Sequence, residues 1–552
     1  MPSIVTVNVT QQVAPIPATL QRIGAFVSQG GTVLAPGSSA LLTQPSDLTP
    51  LLTASGVISS LVWAAQAVTV TTLLPHGFPI GDQMTVIIRG ANPVGFDGTF
   101  LVNVTGASTF VYPLGFNPGA VVVAGFYAPL SQRELVQMTN TFFAQGVDLS
   151  VYVLELGPGG ADIGSAALGA YLTQNPNTAY TSGSTGFFYR YLVPRPWDGD
   201  PSFLNLVQQY DDPTSRTYFH VTTTLSNYVN YTDLEKSVFA LIESPIVDAY
   251  PANALTAITW SNGVVTATTT VAHGVLPGTW FQIQGCVPTA YNGYWLALPG
   301  TVGATLFYSL ATNPGVETTL GTLVASLYTN PGVPPTEFTS AWPFWAALHY
   351  NPSPTNRVAP FAFKFGFGVT PFPTRGFSAL LSQLLASGIN YAGTGAEGGS
   401  SNVILRNGTT ADGRPLTYWY SVDWAQVNSD LELSNAVING DNDSVNPLLY
   451  NQDGINRLQG VEVGVMNSAI TFGLANGTVV TSALDQASFN QALLQGKFAG
   501  QIVVNAVPFA SYVSTNPSDY PAGIYAGLSV NYIVQNGFVS IVFNLNVTDF
   551  LT

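Results

Sequence analysis

Leu149-Ser150-Val151-Tyr152-Val153-Leu154-Glu155-Leu156 is an apolar run that stops at Gly157-Pro158-Gly159-Gly160 and is followed by helical patterning around Ala166–Leu172. A short apolar run closed by turn residues reads as a buried strand, and the order strand, turn, helix is an α/β unit. The flanks repeat the theme. Upstream, Ser131-Gln132-Arg133-Glu134 has the form of a capping box, and Leu135, Met138 and Phe142 continue a helical stripe. Downstream, Phe187–Val193 and Tyr218–Thr224 read as strands, and Thr232-Asp233-Leu234-Glu235 opens a second capped helix running through Ile242. Alternating strands and helices imply a parallel or mixed sheet covered on its faces.

Two copies of one β-rich module interrupt this pattern, about 196 residues apart. The first carries His76-Gly77, Gly90, Phe96-Asp97-Gly98, Gly106, Phe110, Tyr112 and Asn117-Pro118-Gly119. The second answers with His273-Gly274, Gly285, Tyr291-Asn292-Gly293, Gly303, Phe307, Tyr308 and Asn313-Pro314-Gly315. In the first copy, strands are expected at Ala67–Thr72, Gln83–Arg89, Gly98–Val104 and Thr109–Pro113. Asp97-Gly98 and Asn292-Gly293 read as tight turns. Each copy is expected to be a small all-β barrel or sandwich, near the lower size limit for folding alone.

After the second copy, Phe361–Val369 reads as a buried strand, Phe377–Leu385 as a helix, and Trp424–Ile438 and Phe489–Leu494 as further helical stretches. Near the end, Leu528–Gln535 and Phe538–Val547 flank Asn536-Gly537, a two-residue hairpin signal. Val539, Ile541, Phe543, Leu545 and Val547 form one apolar face, as do Val5, Val7 and Val9 within Ser3–Thr10. The expected fold class is an α/β core with a mixed sheet and covering helices, two inserted all-β domains, and β-strand extensions at both ends. The expected division is 1–57 for a strand arm and the start of the core, and 58–128 for the first module. Residues 129–251 continue the core, 252–328 form the second module, and 329–552 carry the remaining core and a closing strand arm.

Only 8% of the 552 residues are charged, against about 25% in ordinary soluble domains. A surface so poor in charge suits a protein covered by neighbours, since few charges need desolvating on assembly. Net charge is −15 with 14 basic residues thinly spread, so no basic patch exists to neutralise phosphates and direct nucleic-acid binding is not expected. Cys286 stands alone, which excludes disulfide frameworks and cysteine zinc sites, and it reads as a small buried hydrophobe. The first cationic side chain is Arg22, and no apolar run is long enough for a secretory signal or a bilayer span. A soluble, cytosol-compatible product is expected, without membrane insertion.

Chemistry-bearing motifs are few. Gly393-Thr394-Gly395-Ala396-Glu397-Gly398 matches the dinucleotide fingerprint by letter, but a strand reading at Ser400–Leu405 follows it where a helix is required. Gly157-Pro158-Gly159-Gly160 has the right context, yet Asp162 stands at the third glycine, where its charge opposes a phosphate. His76 and His273 occupy matching turns and read as fold-keeping, while His220 and His349 have no evident ligand partners in the sequence. Asp441-Asn442-Asp443-Ser444, with Asn446 and Asp453, resembles a calcium loop without its turn glycine or closing glutamate, and reads as a surface loop. No catalytic residue, cofactor or metal is expected.

The segment Leu149–Leu156, the run Phe187-Phe188-Tyr189-Arg190-Tyr191-Leu192-Val193 and the closing Gly537-to-Val547 strand resemble the contractile tail sheath proteins of myovirus-type bacteriophages, in a divergent branch. The resemblance covers residues 1–57, 128–251 and 329–552, and the two insertions are similar to β modules that recur in phage structural proteins. It implies a non-enzymatic virion subunit, assembled in the host cytoplasm into hexameric rings stacked helically around a tail tube. Its implied partners are itself, the tail tube protein, and the baseplate and tail terminator proteins. Neighbours are joined by strand exchange through Val5, Val7, Val9, Val539, Ile541, Phe543, Leu545 and Val547, and contraction drives the tube into the host. Two other readings stand beside it. One is a tail surface protein whose modules bind host glycans through Trp280 and Trp295; the other is a nucleotide-dependent enzyme using the Gly157 or Gly393 loop.

Overall fold

The computed structural model describes residues 21–53, 55–115, 117–175, 188–213, 215–243, 252–273, 275, 280–298, 300–324, 337–372, 378–394 and 402–537. Its largest sheet has nine strands. Six parallel strands form the middle, in the spatial order Val151–Glu155, Gly24–Ser28, Arg190–Leu192, Tyr218–Thr223, Val238–Ile242 and Asn390–Thr394. Antiparallel strands close both sides, Ser39–Leu42 at one edge, and Val403–Arg406 followed by Phe365–Gly366 at the other.

The inner strands are buried on both faces, which is why Val238–Ile242 is apolar throughout and Tyr218–Thr223 aromatic or β-branched, instead of alternating with exposed polar residues. Side chains of one strand still part to opposite sides. Ala25 and Val27 join Leu168 and Leu172 of the Ala161–Gln174 helix and Phe203 and Val207 of the Pro201–Gln209 helix. Phe26 turns the other way, onto Phe142 of the Leu130–Phe143 helix and Phe344 of the Ala341–Leu348 helix.

Four local expectations need correction. Residues 232–242 are not a helix. They turn and then form the Val238–Ile242 strand, because an apolar five-residue run is ambiguous by periodicity and Asp211 holds the preceding turn through the backbone N–H groups of Glu235, Lys236 and Ser237. The capping box at Ser131 does not form: the helix starts after Pro129, Ser131 Oγ accepts from the Gln29 N–H, and Glu134 is drawn to Arg195. Of the strand expected over Phe361–Val369 only Phe365–Gly366 pairs, with Phe363, Phe365 and Phe367 exposed. The Leu528–Gln535 strand is split at Tyr532, its halves joining two different sheets. The second arm of the expected Asn536-Gly537 hairpin lies outside the described residues.

The first module is a closed six-stranded barrel of Gly56–Ala64, Ala67–Thr72, Thr109–Pro113, Gly98–Gly106, Gln83–Arg89 and Phe126–Pro129. The second has the corresponding strands in the same spatial order but as an open six-stranded sheet, because Gly293–Leu296 and Thr305–Ser309 do not pair as Gly98–Gly106 and Thr109–Pro113 do. The two share an internal frame. Trp63 and Trp260 donate to the Leu114 and Leu310 carbonyls, and the hydroxyls of Tyr112 and Tyr308 donate to the carbonyls of Phe96 and Tyr291. Asp97 and Asn292 make no hairpin turn; each accepts the backbone N–H of the Ala91 or Cys286 position and ties down the neighbouring loop.

Beyond the large sheet, the long helix Leu416–Asp441 packs against Gln452–Thr471. The latter lies on a three-stranded sheet with Gln501–Ala506 in the centre, Thr478–Ser482 parallel on one side and Leu528–Asn531 antiparallel on the other. The architecture is therefore mixed sheets with covering helices, together with a closed six-stranded barrel.

Candidate assembly site

All eight residues expected to exchange strands, Val5, Val7, Val9, Val539, Ile541, Phe543, Leu545 and Val547, lie outside the described residues. What is described is where the chain meets those segments. Gln21 is anchored by its side-chain amide, which donates to Tyr189 Oη at 3.2 Å and to the Tyr420 carbonyl at 3.0 Å. At the other end the Gln535 N–H donates to the Leu474 carbonyl, and Gly537 is packed against Pro360. In the three-stranded sheet Thr478–Ser482 has one strand neighbour among the described residues, and Thr478 and Thr481 are exposed. An edge strand of this kind presents unpaired backbone groups that can take a further strand.

The loops considered for phosphate are occupied by the protein's own groups. Glu155, at the end of its strand and buried, accepts from Ser28 Oγ, the Gly30 N–H, the Thr32 N–H and Oγ1, and the Gly157 N–H, all at 2.7–3.0 Å. Within the Gly157 loop itself, the Gly157 N–H is thus already committed to a carboxylate, whose charge opposes a bound phosphate. In the other motif, Gly393 and Thr394 belong to a strand, residues 395–401 lie outside the described residues, and the next element is the antiparallel strand Val403–Arg406. Among the described residues no helix N-terminus follows directly to receive a pyrophosphate.

The histidines have separate structural settings. His76 Nδ1 accepts the Phe78 N–H at 3.0 Å and His273 Nδ1 the Val275 N–H at 2.9 Å, both rings being buried. Burial lowers the pKa of each, so the neutral acceptor form is favoured. His220 lies 3.2 Å from Arg190 Nη1, and burial reinforced by that cation pushes its pKa well down. His349 does have a partner, Asp148 at 2.8 Å, and stacks on Trp345. Their separation of 201 residues hid this pairing from the sequence. In the calcium-like loop Asp443 accepts the N–H groups of Val445 and Asn446. Among the described residues no three His, Cys, Asp or Glu side chains are grouped to hold a metal ion, and no helix is long and apolar enough to cross a membrane. Cys286 is buried, which raises its thiol pKa.

Of the tryptophans considered for glycans, Trp295 stacks on Tyr308 at 4.8 Å and donates Nε1 to the Tyr291 carbonyl. It repeats the Phe100–Tyr112 stack of the first module and serves the module's packing. Trp280 lies in the Trp280–Gln284 strand.

Neither a protein-family model nor a curated protein matches the chain. Among solved structures, the chain is similar to a sheath tail protein from Listeria innocua. The TM-score is 0.34 and the identity 8%, over 83% of this chain and 88% of that one. A likeness this loose does not carry a functional argument.

Two buried polar clusters were not legible in the sequence. In one, Asp423 binds Lys236, Tyr189 and Tyr218. In the other, Arg195 gathers Glu134, Glu243 and the Glu337 backbone. Their members come from distant parts of the chain, and no local periodicity marks them.

Proposed function

We propose that the chain is a structural subunit of a phage contractile tail sheath, polymerising as stacked hexameric rings around a tail tube. The observation that carries this reading is the edge strand Thr478–Ser482, which has one strand neighbour among the described residues. Residues 538–547 and 3–10, whose sequences alternate in apolar faces, read as segments of the kind such an edge accepts from a neighbouring subunit. Main-chain hydrogen bonds then supply affinity without charged side chains, in keeping with a chain that is 8% charged. Strand exchange also keeps subunits tethered while their packing changes, as contraction requires. The two modules, at 58–128 and 252–328, decorate the outer wall, and the tube, baseplate and terminator proteins are the remaining partners. The role is structural, with no reaction to catalyse.

Deleting residues 1–12 or 538–552 and imaging the purified products by electron microscopy tests this reading. The full chain is expected to form rings or tubes and the truncated chains to remain dispersed. Intact tubes from both truncations would remove strand exchange as the joint, and dispersed full-length monomers would remove the sheath reading.

A further inference from the structure

Glu243 follows the Val238–Ile242 strand, and Glu337 precedes the Ala341–Leu348 helix. The whole second module, from Asn253 to Leu323, is threaded between them. Both residues return to Arg195, which lies in the short 3-10 turn Arg195–Trp197. Arg195 grips the Glu243 carboxylate with Nε at 2.7 Å and Nη2 at 3.0 Å, and the same Nη2 donates to the Glu337 carbonyl at 3.1 Å. The guanidinium also lies over the Phe338 ring at 4.0 Å. Cross-ties complete the joint. The Thr339 N–H donates to Glu243, the Phe338 N–H to Thr141 Oγ1, and Glu337 accepts from Thr339 Oγ1 and from the N–H and Oγ1 of Thr370.

A third carboxylate intrudes. Glu134, on the Leu130–Phe143 helix, is buried 3.5 Å from Arg195 Nη1, whose shorter bond, 2.7 Å, goes to Gln137 Oε1. Its Oε2 has no hydrogen-bond partner among the described residues. One cation thus serves two buried carboxylates, those of Glu243 and Glu134, and the Glu337 carbonyl. The charged groups facing Glu134 are Arg195 from the 3-10 turn and Glu243 from the strand end, with Glu337 beyond them on the segment leading into the Ala341–Leu348 helix.

We propose that the Arg195 cluster is a charge clamp that closes the two segments carrying the second β-module onto the large sheet, and that it loosens when Glu134 ionises. The sign follows from linkage. An exposed glutamate titrates near 4.5, whereas burial first, and Glu243 repulsion second, lift Glu134 to about 7 despite the attraction of Arg195. Between those values the closed clamp keeps a proton that an opened one releases. Closure is therefore strongest below pH 4.5, weakens as pH rises through the interval, and has lost the whole contribution above about pH 7. This device works on the module's attachment and does not depend on the sheath reading.

Hydrogen exchange of the full chain at pH 5 and pH 8, corrected for intrinsic exchange rates, reads the clamp through the amides of Phe338 and Thr339. Opening is expected to be roughly tenfold to a hundredfold more favourable at pH 8. Glu134→Gln, which keeps shape without charge, is expected to stay protected at both values, and Arg195→Gln to lose protection at both. A wild-type chain without pH dependence, or a Glu134→Gln variant keeping the full wild-type dependence, overturns the proposal. Should Arg195→Gln fail to fold, the Glu134→Gln comparison decides alone.

Discussion

Lys236 Nζ lies 3.1 Å from Asp423 Oδ1, and both side chains are completely buried. The other carboxylate oxygen accepts from the hydroxyls of Tyr189 at 2.6 Å and Tyr218 at 2.7 Å. Lys236 also donates to the Pro213 carbonyl and lies over the Trp419 ring. The pair thus fastens the Leu416–Asp441 helix to the Tyr218–Thr223 strand, to Tyr189 just before the Arg190–Leu192 strand, and to the turn before Val238.

Removing one partner should cost more than the pair itself contributes. Lys236→Met leaves a buried carboxylate without its cation, and a loss of about 3–5 kcal/mol is expected. Adding Asp423→Asn should restore much of it. Calorimetric melting of the wild type, single and double variants checks this, and a double variant no better than the single would show the two groups uncoupled.

Glu155→Ala should act as a core defect. It strands five donors around one carboxylate position, and a loss of at least about 3 kcal/mol is expected, seen as a lower thermal midpoint. Added nucleotide should shift neither the wild type nor the variant. Nucleotide-dependent stabilisation of the wild type would instead revive a phosphate site at the Gly157 loop.

Acid should weaken both modules. His76 and His273 have folded pKa values below the ordinary 6.5, so unfolded chains take up protons that the folded rings resist. The stability they contribute is full above pH 6.5 and is lost as pH falls through and below that value. His76→Gln with His273→Gln keeps an acceptor and removes the titration, and the double variant should show a shallower fall in melting temperature between pH 7.5 and 5. An unchanged slope would assign the acid sensitivity elsewhere.

Trp295→Ala should cost about 3–5 kcal/mol of stability through its lost stack on Tyr308 and its lost hydrogen bond to Tyr291. Binding to a glycan array should not differ between the variant and the wild type. A stable variant that lost glycan binding would favour the host-surface reading.

The first module was the most readable part of the chain. Ala67–Thr72, Gln83–Arg89 and Thr109–Pro113 form strands with the expected bounds, since alternating β-branched residues between glycine and asparagine turns leave little choice. Val238–Ile242 was misread because five apolar residues carry no period, and only its place between Tyr218–Thr223 and Asn390–Thr394 makes it a strand. Ser131 and Glu134 have the letters of a capping box, but bonds to Gln29 and Arg195 take them from the helix end.

By itself the sequence determined the duplicated module, a buried strand within Leu149–Leu156 with its glycine turn, and a surface poor in charge. All of these are set by neighbours within a few residues or by composition alone. Tertiary structure decided that one copy closes into a barrel while the other stays open, that Glu155 fills its own glycine loop, and that Lys236 meets Asp423 across 187 residues. Such pairings depend on which side chains the folded sheets and helices bring within a few ångströms, a property of the whole packing that no local pattern encodes.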